Sequence, residues 1–231
     1  MCFQRFYETW LEQLRHLIQQ LRRAPKPPAT QDENRRLLQL VHNVVTHHSE
    51  YCRVKSVAAE SDVLAVFTAR WTSALERSLH WIGGWHPTTV FHLIYSESSI
   101  LSESHIVDIL SGRRAAGDLG DLSPSQLSRV SELQCETVRE ENAITDELSE
   151  WQESASEVGR SMMREEEELE GRIQRLASVV EKAEDLRLRT IRGVVELLTP
   201  QQAAEFLIAA AELQIGVHEW GLHYDRQRGS D

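Results

Sequence analysis

His218 and Glu219 open the pattern of a zinc peptidase, in which two histidines four positions apart share a helix face and a glutamate between them acts as base. The next histidine, His223, stands five positions on. At about 100° per residue the two rings diverge by roughly 140° on a helix, so the pair cannot close on one ion. His42 and His47 have the same spacing and read as structural or surface residues. Gly112 and Gly117 are set as in a phosphate-binding loop, but Asp118 and Leu119 stand where Lys and Ser or Thr would meet phosphate and magnesium. No serine sits in the glycine pattern of a nucleophile elbow, and no dinucleotide fingerprint is present. Cys2, Cys52 and Cys135 lie far apart, which fits a reducing compartment and gives no metal site. With catalysis weakly supported, the residues that remain are those suited to recognition. They concentrate between Trp71 and Ile94, where three of the six tryptophans flank a Gly-Gly break.

The elements that must position this stretch read as helices. Ser73 and Glu76 have capping-box spacing, so a helix is expected from Ala74, with Leu75, Leu79 and Ile82 as its apolar stripe and Gly83-Gly84 as its end. Pro87 suits the first turn of the next helix. Trp81, Trp85 and His86 then sit at a corner beside free helix N–H groups, which favour an anionic group near Thr88 and Thr89. Arg77 lies near enough in sequence to rim the same surface.

Upstream, Phe3, Tyr7, Trp10, Leu14, Leu17 and Leu21 step by four and three, and Phe6, Leu11 and Ile18 widen the stripe to that of a helix buried in a bundle. Pro25, Pro27 and Pro28 end it, and the capping box Thr30/Glu33 starts another, lined by Leu37, Val41, Val44, Val45, His48 and Cys52. A separate short helix is expected over Val57 to Ala69, and two more over Val90 to Ser98 and His105 to Leu110. Capping boxes at Ser123/Gln126 and Thr199/Gln202 open two of the later helices. In the first of these, Glu141 interrupts an otherwise apolar stripe that runs from Leu127 to Trp151. The helix between them carries Leu169, Ile173, Leu176, Val180 and Ala183 behind the acidic run Glu165 to Glu168, which reads as a solvated face. No segment alternates as a strand does. The expected fold is all-α, a bundle of long antiparallel helices with a shorter-helix insertion around the Trp-Gly-Gly-Trp corner. The whole of 1–231 reads as one helical domain. It comprises a first helix (1–23), a Pro-rich break (24–29), helices including the corner (30–111), a loop (112–122) and long C-terminal helices (123–231).

The net charge of −11 opposes phosphate backbones, and the basic pairs never extend into a run, so autonomous nucleic-acid binding is not expected. The N-terminus is not a signal peptide, and the apolar run Phe206 to Ala211 is far short of the roughly 18 residues of a membrane span. Neither secretion nor membrane insertion is expected.

Arg70-Trp71, Leu75-Glu76-Arg77 and Trp81-Ile82-Gly83-Gly84-Trp85-His86-Pro87-Thr88-Thr89 resemble the Delay-of-Germination (DOG) domain of plants, which is also the C-terminal region of TGA-type leucine-zipper transcription factors. Trp10-Leu11, Lys55 to Ala59 with Asp62-Val63, Ala183 to Arg187, and Leu198-Thr199-Pro200 leading into Phe206-Leu207 extend the likeness along nearly the whole chain. His218-Glu219-Trp220-Gly221 with Asp225-Arg226 favours a free-standing DOG-like protein over a TGA factor. The resemblance implies a non-catalytic regulator of seed dormancy, germination or abscisic-acid responses in nucleus and cytoplasm. It would act through protein partners such as type 2C phosphatases or transcription factors, and self-association stays open. It also implies an alternative, a haem-binding or small-ligand regulator, because the family is associated with haem through two histidines four apart on the last helix. His218 matches one of these and Gln214 stands at the other, so His218 could give a single axial contact. A leucine-zipper basic region is missing from these residues, so any promoter contact would come through a partner. The candidate binding residues are Arg77, Trp81, Trp85, His86, Thr88, Thr89, His218 and Trp220.

Overall fold

The computed structural model describes residues 3–110, 117–157 and 165–228. Eight α-helices succeed one another among them: α1 (Phe3–Arg23), α2 (Gln31–Ser61), α3 (Val63–Phe67), α4 (Ala74–Ser78), α5 (Thr89–Leu110), α6 (Pro124–Glu157), α7 (Glu165–Leu197) and α8 (Pro200–Arg228). Among the described residues there is no strand, only the isolated bridge between Trp81 and Gly84. The fold is all-α, as the helical periods require.

All four capping boxes form. Thr30, Ser73, Ser123 and Thr199 each accept from the backbone N–H three residues on, and Glu33, Glu76, Gln126 and Gln202 each reach back to the cap N–H. Each satisfies two donors that a helix start leaves unpaired. In α1, Tyr7, Trp10, Leu11, Leu14, Ile18 and Leu21 are buried, so the widened stripe is the buried face. α1 lies along α2 with Trp10 against His47 and Phe3 against Tyr51, and α6 along α7 with Glu140 paired to Arg189 and Glu147 to Lys182. In both pairs the sequence numbers run in opposite directions, so the helices are antiparallel.

Three helix boundaries differ from expectation. α2 continues to Ser61, and the break falls at Asp62, whose carboxylate caps α3 by accepting from Ala65 N at 2.9 Å. Val57, expected to begin a separate helix, sits exposed on the solvent side of α2. The two short helices expected after the corner are one, α5, because the polar stretch around residue 100 contains neither Gly nor Pro. Its serines fit within a helix, as when Ser104 Oγ donates to Leu101 O at 2.7 Å. The corner helix α4 ends at Ser78 rather than at the glycines, leaving Leu79 exposed. Of the loop expected over 112–122, residues 112–116 lie outside the described residues, as do the side chains of the acidic run Glu165 to Glu168.

Two apolar clusters form. The larger joins α1, the first half of α2, the start of α5 and the N-terminal half of α8, and includes Trp10, Phe91 and Phe206. The smaller gathers Ala59, Val63 and Val66 with Trp81, Ile82, Ile144 and the α7 residues Leu176 to Leu186. Trp71 packs against both, so the corner sits where the two cores meet.

Candidate functional site at the tryptophan corner

The Gly-Gly break is the heart of a tight reversal rather than the end of a helix. Trp81 N donates to Gly84 O at 2.5 Å and Gly84 N to Trp81 O at 3.2 Å. Between them Ile82 (φ 47) and Gly83 (φ 68) are both left-handed, the pattern of a type I′ turn. Glycine accepts this conformation and a β-branched residue resists it, so Ile82 is held there by its surroundings. The two glycines are needed for different reasons. A Cβ on Gly83 would lie 2.6 Å from the Val66 carbonyl oxygen, whereas one on Gly84 would lie 2.9 Å from Arg187 Cζ. Gly83→Ala should therefore lower stability by about 1 kcal/mol or more whatever stands at 187. Gly84→Ala should destabilise the natural chain and add little once Arg187 is Ala, a coupling that a double-mutant cycle of urea-unfolding free energies will read. Additive losses at Gly84 and Arg187 would count against this assignment.

Beneath the turn lies a buried charge cluster. Lys55 Nζ on α2 donates to Gly83 O at 2.7 Å and to Glu184 Oε1 on α7 at 2.6 Å. Arg187 donates to the same Glu184 oxygen, to the carbonyls of Trp81 and Ile82, and through Nε to Trp85 O at 2.7 Å. Its guanidinium also lies 5.3 Å from the Trp81 ring centre. Burial favours a neutral Glu184, but Lys55 and Arg187 more than offset this and hold its pKa below the usual carboxylate value. Burial lowers the Lys55 pKa, partly opposed by Glu184. Burial, together with the Glu184 charge, pushes the thiol of neighbouring Cys52 up to about 12, so it is a poor nucleophile. The cluster's hydrogen bonds go to main-chain carbonyls and to each other, which is the work of a clamp rather than of a catalyst.

Of the N–H groups at the start of α5, that of Thr88 meets an anion that belongs to the protein, while those of Thr89, Val90 and Phe91 donate to main-chain carbonyls. Glu141 accepts from Thr88 N at 3.2 Å, and its other oxygen lies 2.5 Å from His86 Nδ1. This explains the acidic interruption in the α6 stripe and corrects the expectation that an external anionic group would be drawn there. Arg77, exposed, turns back to the Thr72 carbonyl and does not line the same surface as Trp85.

A second buried cluster ties α4 to α1 and α8. Glu76 accepts from Tyr7 Oη at 2.8 Å and from Ser73 N at 2.8 Å, and its Oε2 lies 3.0 Å from His218 Nδ1. Although burial alone would raise it, these bonds from His218, Ser73 and Tyr7 hold the Glu76 pKa at about 2. The rest of the C-terminal motif docks the same short helix. Asp225 accepts from Ala74 N at 3.0 Å, and Gly221 gives room where a Cβ would lie 2.0 Å from Ser73 Oγ. Burial also keeps His48 and His80 neutral, each with its pKa near 4. Between pH 6.5 and 4 the unfolded histidines bind protons that the folded ones refuse. Below 4.5 the unfolded glutamate does so until pH reaches about 2. Stability should therefore fall as pH drops through 6.5 to 4, and fall further towards 2. In a pH series of melting temperatures, Glu76→Gln should flatten the lower limb.

Between the two clusters opens a cavity of about 380 Å³. The corner contributes Trp85, His86, Thr89 and Val90, α4 and its exit contribute Glu76, Leu79 and His80, and α8 contributes Phe206 to Val217 on one face. Ala210, Leu213 and Val217, which step by three and four along one face of α8, border this space, and Leu213 is exposed. Trp81 is buried in the smaller core with its Nε1 donating to Thr145 Oγ1 at 2.9 Å. Trp85 is half-buried, and Trp220 is 71% exposed on the far side of α8 from His218, which is buried. The candidate residues thus divide. Trp81 and His218 are structural members, Trp85, His86 and Thr89 line the cavity, Thr88 donates its N–H to Glu141, and Arg77 and Trp220 stand apart.

A haem held between two histidines does not suit these residues: Gln214 lines the cavity where the second would be needed, and His218, buried, is not among the residues that line it. Among the described residues no group of three or more His, Cys, Asp or Glu could hold a metal ion. His47 is structural, stacked on Trp10 at 4.9 Å with its Nε2 at 2.9 Å from Trp10 O. Among the described residues no helix is long and apolar enough to cross a membrane.

Lys55, Glu184 and Arg187 are the functional residues that the periodic reading passed over. The signal was present: Lys55 continues the Leu37, Val41, Val44 steps, and Arg187 stands between Ala183 and Thr190 on the buried face of α7. A charge at a stripe position marks a buried pair as readily as a stripe's end.

The class defined by this fold and site is a helical domain in which buried ion pairs brace a tryptophan-lined corner. Residues 17–96 match the family model described as "DOG1: Seed dormancy control". The chain is 30% identical to Protein DOG1-like 4 of Arabidopsis thaliana over 95% of this chain and 91% of that one. It is 28% identical to Protein DOG1-like 3 of the same plant over 96% and 84%. It is also 28% identical to the bZIP transcription factor TGA10 of Nicotiana tabacum, over 89% of this chain but 38% of that protein. The chain belongs to the DOG1 family and is related to TGA transcription factors, which fits a plant regulatory role in seed dormancy; none of these three relatives is named as an enzyme.

Proposed function

We propose that this protein is a non-catalytic regulator of seed dormancy, germination and abscisic-acid responses, which acts by binding other proteins and through them influences transcription. The observation that carries this reading is the disposition of α8. Its buried face is fixed to α4 by His218, Gly221 and Asp225, while Trp220 and Tyr224 stand out from the helix at 71% and 50% exposure. A large, mostly exposed aromatic on an anchored helix is the type of side chain that dominates protein interfaces. TGA-type factors and type 2C phosphatases are the candidate partners, with the nucleus and cytoplasm as the places of action.

The test is a binding titration of the purified chain against a TGA factor and a type 2C phosphatase, with Trp220→Ala beside the natural sequence. Trp220→Ala should keep the helical circular dichroism and melting temperature and weaken binding by about thirtyfold, the effect of losing roughly 2 kcal/mol at a dominant interface residue. Absence of binding by both partners, or equal affinity of the variant, would overturn the reading.

A further inference from the structure

The cavity between the corner and α8 is larger than the clamp requires. Its volume of about 380 Å³ falls within the roughly 300–1,000 Å³ of small-molecule sites. Its walls are apolar, with Leu93, Phe206, Leu207, Ala210 and Val217 among them. A void of this size next to close-packed cores costs contacts that a ligand would restore.

Its polar groups decide what kind of ligand. Among the described residues no Lys or Arg lines it, and its one carboxylate is Glu76. Both Glu76 oxygens are taken, Oε1 by Tyr7 and Oε2 by Ser73 N and His218, so a cation would find an anion whose charge is already answered. An anion would bring its charge beside Glu76 with no lining cation to pair with, and the nearby Lys55 and Arg187 are bound to Glu184 and main-chain carbonyls. What remains at the wall is uncharged hydrogen-bonding capacity. Burial keeps His48 and His80 neutral, the buried His80 Nδ1 has no hydrogen-bond partner among the described residues, and Gln214 adds an amide.

We propose that this cavity is a binding site for an uncharged, mainly apolar small molecule bearing a hydroxyl group, held by the apolar walls and oriented by the His80, His48 and Gln214 side chains. Trp85 and His86 belong to the corner and Leu213 and Val217 to the solvent-facing half of α8, so an occupant would brace these two elements against each other.

The test uses the full chain with two matched pairs of probes, farnesol against farnesoic acid and 1-dodecanol against dodecanoate, followed by tryptophan fluorescence and by melting temperature. The alcohols should bind saturably and raise the melting temperature, and each acid at neutral pH should bind about tenfold or more weakly than its alcohol, because its charge is buried unpaired. Ala210→Phe, which fills the cavity from α8, should abolish alcohol binding while the circular dichroism stays helical. Val217→Phe repeats that arm should the first variant fail to fold. Acids that bind as well as their alcohols, absence of saturable alcohol binding, or unchanged binding in a folded cavity-filling variant would each overturn the proposal.

Discussion

Arg187→Ala should lower the unfolding free energy by about 3–5 kcal/mol, the loss found when one partner of a buried ion pair is removed. The size follows from what the side chain holds. Its guanidinium serves three main-chain carbonyls of the corner and the Glu184 carboxylate, and it is 3% exposed. Without it, the carbonyls of Trp81, Ile82 and Trp85 lose these buried donors, and Lys55 alone opposes the charge of Glu184. Ile82 is then held in its left-handed conformation only by the two turn bonds between Trp81 and Gly84, its packing in the smaller core and the Lys55 bond to Gly83. Arg187→Lys should recover little, since a single ammonium cannot reproduce the fork that spans Trp81, Ile82 and Trp85. Arg189→Ala is the control. Arg189 bridges Glu140 and Asp185 at the surface, where such pairs contribute about 1 kcal/mol or less. Urea unfolding of the three variants checks the ordering, and a loss at Arg187 no larger than at Arg189 would show that the corner holds its shape without the clamp.

Apolar stripes and capping boxes made the helices legible in the sequence because both are local: a helix face is written in steps of three and four residues, and a cap in a step of three. The helical character of α1 to α8 and the four boxes could therefore be read directly. What escaped the reading is non-local. Lys55 meets Glu184 across 129 positions, and His86 meets Glu141 across 55, so neither partner announces the other. Glu141 looked like a flaw in a stripe and is the counter-charge for the start of α5. The glycine pair looked like a helix stop, since both a C-terminal cap and a type I′ turn use left-handed residues. Only the packing of Val66 and Arg187 against the turn tells them apart. The cavity was illegible for a further reason. Ala210, Leu213 and Val217 fall on the apolar face of α8, and a period records that a face is apolar but not whether it meets a neighbour or a void.

The two tryptophans of the corner should respond unequally to truncation. Trp81 is 8% exposed within the smaller core, donates its indole N–H to Thr145 and lies under the Arg187 guanidinium. Trp81→Ala should therefore lower stability by about 3–5 kcal/mol, as large core truncations do, and should weaken the Arg187 clamp with it. Trp85 is fixed through its main-chain carbonyl, which a substitution keeps, while its ring packs on the larger core on one side and borders the cavity on the other. Removing that ring widens a space that already exists, so Trp85→Ala should keep the fold and lose clearly less stability than Trp81→Ala. Its larger effect should fall on recognition at the corner, measured as the affinity for a partner or for the cavity probes. Chemical denaturation of both variants, with binding titrated on each one that stays folded, separates the two roles. If Trp85→Ala unfolds as readily as Trp81→Ala, the indole at 85 is as much a core residue as that at 81, and recognition must rest on the α8 surface around Trp220.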